Sequence, residues 1–159
     1  MAHFPAFTRK SFASIWMLAT AVSLTTVADA TTRDEKAVLA PLQAFFDGLA
    51  KRDRDLIMKQ LLPGGSATLM RDGKPLQLTF EALADRISEP GTTSREERIH
   101  DPLVRIDDNI AIIWAPYVLS IDGKIEHCGT DIANLVRVDG KWLIASLADT
   151  SRKECTGQK

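Results

Sequence analysis

The sequence predicts an α+β domain. Its helical periodicities crowd into the first half of the chain, and its strand-like runs, joined by Asp-Gly turns, fill the last third. Such segregation argues against an alternating parallel sheet wound on both sides by helices. A chain of 159 residues suits one domain with one core. No internal repeat or low-complexity segment is visible.

Each element has a local cause. Val38, Leu42, Phe45, Phe46 and Leu49 form one apolar stripe at helical spacing, which predicts a helix over 32–50. Thr32 and Glu35 have capping-box spacing, and Pro41 is expected to kink this helix or delay its regular start. A short helix over 53–62 is expected to stop at Pro63-Gly64-Gly65. Ser66 to Met70 and Leu76 to Leu78 read as a small hairpin around Asp72-Gly73. Thr79 caps a third helix through Ile87, with Phe80, Leu83, Ala84 and Ile87 on one face. Glu89 to Thr93 reads as a mobile loop. Then Arg98 to Ile106, Ile110 to Ile121, Ile125 to Val138 and Lys141 to Thr150 read as a four-strand antiparallel meander. Its last two turns are Asp122-Gly123 and Asp139-Gly140.

The first 30 residues read as a secretory signal peptide. Arg9 and Lys10 precede the uncharged stretch Ser11 to Val27, and Ala28-Asp29-Ala30 places small residues around a cleavage point. A membrane anchor competes with this reading, but 17 residues is short for a span. Residues 31–159 would then be a single secreted or periplasmic domain, with no membrane association after cleavage. Starting from 20 basic and 21 acidic residues, removal of Arg9, Lys10 and Asp29 leaves 18 and 20, so neither nucleic acid nor an anionic membrane is an expected partner. Export allows a disulfide between Cys128 and Cys155, against the alternative of two free thiols. Their spacing fits no zinc pattern, and no metal or cofactor is expected. There is no phosphate loop, nucleophile elbow or CxxC, and Arg95-Glu96-Glu97-Arg98 reads as a solvated edge or loop.

Two stretches carry a resemblance: Arg105-Ile106-Asp107-Asp108-Asn109-Ile110-Ala111 entering a strand, and Val136-Arg137-Val138-Asp139-Gly140-Lys141-Trp142-Leu143-Ile144 with its Asp-Gly-x-Trp turn. With the order of elements, they make residues 35–150 resemble the nuclear-transport-factor-two-like superfamily, which includes ketosteroid-isomerase-like and polyketide-cyclase-like domains. The resemblance implies a cone-shaped curved antiparallel sheet packed on the N-terminal helices around a cavity, in a protein that often dimerises. It does not choose among isomerases, dehydratases, cyclases and binding modules.

Counting strand partners from two-residue turns puts His100, Pro102, Trp114, His127, Gly129, Asp131, Ala133, Leu135, Ile144 and Ser146 on one face. The resemblance assigns that face to the cavity. Asp131, His127 and His100 are then the candidate catalytic groups, since a carboxylate in an apolar cavity has a raised pKa and suits acid–base work. Solvent-exposed or merely structural roles compete for each of them. Trp114, Ala133, Ser146 and Tyr117 are candidate ligand contacts. Gly129 would leave room beside Asp131. The opposite face, with Ile113, Ala115, Ile132, Ala145 and Leu147, is the expected homodimer surface. A bulge would exchange the faces locally, making Tyr117, Thr130 and Asp149 the polar set. The function expected is binding of a small, largely apolar ligand without assigned reaction. The alternatives are a cofactor-free isomerase or dehydratase using Asp131 with His100 or His127, and a dimeric protein-interaction module.

Overall fold

The computed structural model describes residues 25–155, with side chains from Arg33 onward. The expected signal peptide therefore lies outside the described residues except for Thr25–Ala30, whose backbone is helical. Among the described residues no helix is long and apolar enough to cross a membrane.

The first helix, α1 (Thr25–Lys51), starts before Thr32 and runs through Pro41. Val38, Leu42, Phe45, Phe46 and Leu49 are all buried, as the stripe requires. Arg52, at φ 54°, ends it in the left-handed region. Asp53 then caps α2 (Arg54–Met58) by accepting from the Leu56 amide at 2.9 Å. This helix is shorter than expected because Pro63-Gly64-Gly65 is no helix stop: it belongs to strand β1 (Leu61–Arg71). Phe80 lies where a Gly65 Cβ would sit, 2.2 Å from its Cε2, so the glycine admits the ring. Strand β2 (Lys74–Thr79) returns, and Thr79 accepts from the Ala82 amide to cap α3 (Phe80–Ser88). The loop after α3, expected to be mobile, is tied down by Arg52, which donates to the Glu89 and Thr93 carbonyls at 2.9 and 3.1 Å.

The last third holds β3 (Arg95–Ile99), β4 (Leu103–Asp107), β5 (Ile110–Ile121), β6 (Lys124–Val138) and β7 (Lys141–Asp149). The single strand expected over 98–106 is thus two, broken at His100-Asp101-Pro102, and both halves pair with β5. The sheet order is β2-β1-β7-β6-β5-β3. It is antiparallel except between β1 and β7, which run parallel. The small hairpin therefore joins the meander in one curved, unclosed sheet. The core fills the space between α1, α3 and one face of this sheet.

Two bulges decide which side chains face that core. The Asp122-Gly123 turn has both residues at positive φ, the geometry of a tight two-residue hairpin, and pairs Ile121 with Lys124 and Ser120 with Ile125. Glu126 is then extra, so Leu119 pairs with His127 and Ala115 with Asp131. In β7, Ala145 is extra in the same way, and Ala133 faces Leu147 rather than Ser146. Each bulge shifts the register by one residue and reverses the faces beyond it.

Candidate functional site

The register shifts correct the face assignment. Ile113, Ala115, Tyr117, Leu147 and Asp149 turn inward beside Asp131 and Ala133, so Ile113, Ala115 and Leu147 are not a dimer surface. Trp114, expected in the cavity, is 49% exposed on the outer face with Leu103, Ile112 and half-buried Ile132. Ser146 is also on the outer side, accepting from Asn134 Nδ2 at 2.8 Å. Ala133 is fully buried in the core and does not line the cavity. His100 sits at the strand break, where its amide donates to Pro116 O at 2.8 Å, away from the cavity lining. Of the three residues proposed for chemistry, Asp131 and His127 meet in the cavity.

That cavity has a volume of about 430 Å³. Its apolar wall includes Phe45, Phe46, Leu49, Leu83, Ile87 and Leu119, from α1, α3 and β5. Its polar end gathers Arg71 on β1, Asp149 on β7 and Asp131 on β6, three strands in succession, with Glu97 on β3 beyond the intervening β5. Alternation in β3 turns Arg95, Glu97 and Ile99 inward and leaves Glu96 and Arg98 exposed. The run read as a solvated edge thus supplies a cavity carboxyl. The signal was that alternation ahead of Ile99, masked by charge at four consecutive positions.

Arg71 Nη1 and Nη2 donate to the two carboxylate oxygens of Asp149, both at 2.6 Å. The hydrogen bond to Asp149 raises the Arg71 pKa. Asp131 is 7% exposed. Its pKa is pushed up to about 7, first by burial, while its hydrogen bond with Glu97 pulls the other way. Glu97 is raised well above the usual carboxylate range, by burial and then by the Asp131 charge. Both shifts run upward, so the two carboxyls disfavour being ionised together. The buried Asp131 Oδ2 has no hydrogen-bond partner among the described residues.

His127 stacks edge-to-face on Tyr117, with centroids 5.8 Å apart. Burial and then the Arg71 charge lower its pKa, so it is neutral at pH 7. The Tyr117 hydroxyl donates to Thr150 O at 2.8 Å, and burial raises its pKa. Gly129 does not open space in the cavity. A Cβ there would lie 1.8 Å from Thr150 O and 2.7 Å from Tyr117 Cε1, so the missing side chain is replaced by tail and ring. Cys128 and Cys155 form a disulfide with Cα atoms 5.7 Å apart, which fastens this tail to β6. Among the described residues no His, Cys, Asp or Glu group is placed to hold a metal ion.

Helices on one face of a curved sheet, enclosing a cavity with a polar end, define a nuclear-transport-factor-two-like domain. Within that class the chain belongs to the family described as "Putative lumazine-binding", whose profile matches residues 33–148. Solved structures agree on the fold. An NTF-2-like protein of unknown function from Silicibacter pomeroyi is 17% identical with TM-score 0.63, covering 77% of this chain and 98% of its own. A protein named "Putative Scytalone Dehydratase" from Novosphingobium aromaticivorans is 10% identical with TM-score 0.66, covering 79% and 88%. An NTF2-like protein from Cytophaga hutchinsonii is 14% identical with TM-score 0.63, covering 76% and 98%. No curated protein matches the sequence.

Proposed function

We propose that this chain is an exported small-molecule-binding protein whose ligand occupies the cavity, its apolar body against α1 and α3 and its polar group at the Glu97–Asp131 end. The observation that carries the reading is the cavity itself: about 430 Å³, apolar on one side, with a few converging polar groups at one end. The family description, which names lumazine, supports a flat, ring-sized ligand. The Cys128–Cys155 disulfide supports an oxidising destination, secreted or periplasmic. The exposed Leu103, Ile112 and Trp114 support a homodimer through the outer sheet face. The test is extraction of the purified protein for copurified small molecules, followed by calorimetric titration with lumazine and apolar aromatics. Saturable binding that is lost when Leu49→Trp fills the cavity supports the reading. No saturable binding of any of them refutes it.

A second reading is a cofactor-free isomerase or dehydratase. It is favoured by Asp131, whose pKa of about 7 lets it take or give a proton at neutral pH. His127 lies in the same cavity, whereas His100 has no part in this version. Asp131→Asn would then abolish turnover while leaving folding intact; in a pure binding protein it changes affinity alone.

A further inference from the structure

The set of groups at the polar end of the cavity holds more carboxyls than guanidiniums. Three carboxyls, Glu97, Asp131 and Asp149, share it with the Arg71 guanidinium and the His127 imidazole. Arg71 is committed to Asp149 through both terminal nitrogens. Arg86, Glu89 and Arg95 also line the cavity, but Arg86 and Glu89 are exposed and, among the described residues, none of the three forms an ion pair with Glu97 or Asp131. Among the described residues neither Glu97 nor Asp131 thus forms a salt bridge, although Asp131 is 7% exposed and its Oδ2 has no hydrogen-bond partner. A buried carboxylate in that position is stable only when something supplies charge and a hydrogen bond.

We propose that the ligand is a monocationic amine with an apolar body, its protonated nitrogen seated on the Glu97–Asp131 pair. The inference rests on the reading of the cavity as a small-molecule site and names the chemical class that site takes. A protonated nitrogen brings the missing charge and N–H donors together. An anion at this end would meet Glu97, Asp131 and Asp149 with the Arg71 guanidinium already engaged, while Arg86 and Arg95 line the cavity without pairing with Glu97 or Asp131. A neutral ligand would leave the pair uncompensated. The protein's own groups do not fill the role. His127 is kept neutral, and the Tyr117 hydroxyl is spent on Thr150 O. Acidification sets a proton in competition with the amine for the pair, because Asp131 takes up a proton at about pH 7.

Three probes of matched shape test this: 2-naphthylmethylammonium, 2-methylnaphthalene and 2-naphthoate, titrated calorimetrically into the full purified chain at pH 7.5 and pH 5. The ammonium binds at least about tenfold tighter than methylnaphthalene at pH 7.5, naphthoate binds weakest, and the ammonium preference shrinks at pH 5. Glu97→Gln and Asp131→Asn each lose the preference while keeping affinity for methylnaphthalene, which also shows that the variants are folded. Equal binding of ammonium and methylnaphthalene by the native chain overturns the amine class and leaves the cavity reading standing. A preference for naphthoate, or an ammonium preference that survives in both variants, overturns it as well. If no probe binds, the cavity reading falls and the inference falls with it.

Discussion

Asp131→Asn should make the protein more stable at neutral and alkaline pH. Asn keeps the shape of the side chain and an oxygen that accepts from Glu97, but removes the ionisable group. Burial raises the Asp131 pKa from 3.8 to about 7 in the folded state. A group whose folded pKa lies above its unfolded value binds a proton more tightly in the native protein. Its contribution to stability is therefore complete below about pH 4 and is lost as pH rises through about 7. A shift of about three units corresponds to on the order of 4 kcal/mol, and at 7% exposure solvent screening removes little of it. Glu97 titrates in the same site, so the difference between native and variant proteins is the quantity to read. Urea unfolding at pH 4.5, 6 and 8 with the disulfide intact measures it. The native protein should lose ground relative to Asp131→Asn at each step, with the gap widest at pH 8. A gap that stays constant within about 0.5 kcal/mol, or one that narrows with pH, would refute the raised pKa of Asp131.

Other consequences are equally direct. Gly129→Ala drives a Cβ to 1.8 Å from the Thr150 carbonyl and should cost about 3 kcal/mol in urea unfolding; a change under about 1 would mean the tail is not fixed there. Reducing Cys128–Cys155, which closes a loop of sequence separation 27, should cost on the order of 3 kcal/mol by the same assay, and an unchanged midpoint would contradict it. Arg71→Met leaves the half-buried Asp149 carboxylate without its bidentate partner and should cost about 2 kcal/mol in urea unfolding at pH 7; an unchanged midpoint would contradict it. Protein recovered from an extracytoplasmic fraction should begin at or within a residue or two of Thr31 by intact mass, and full-length chain in the cytoplasm would oppose export.

The elements were legible wherever one local cause dominated. The apolar stripe from Val38 to Leu49, the Thr79 cap and the Asp-Gly turns each name their structure without help from the rest of the chain. The signals failed where tertiary packing overrode them. Pro63-Gly64-Gly65 reads as a helix stop because glycine and proline are poor in both helices and strands. Here the glycines let Phe80 close on β1, and Gly64 adopts φ 81° at a register shift against β7. The parallel pairing of β1 with β7 has no local signature, since it joins segments some 80 residues apart.

The site was half legible for a sharper reason. Counting from a two-residue turn is exact only until a bulge, and nothing in Lys124-Ile125-Glu126-His127 marks Glu126 as the extra residue, or Ala145 in the next strand. The count gave two alternative polar sets, His100, His127 and Asp131 or Tyr117, Thr130 and Asp149, as if the faces excluded one another. Two bulges, each reversing one neighbour of β6, bring His127 and Asp131 to the same side of the sheet as Tyr117 and Asp149. The cavity therefore gathers more ionisable groups than either count allowed. Glu97 completes them from the edge strand. Two carboxyls that ionise independently in the unfolded chain are thereby made to titrate together. That coupling, rather than any single residue, is the property of this site that the sequence could not display, because it exists only once both register shifts are in place.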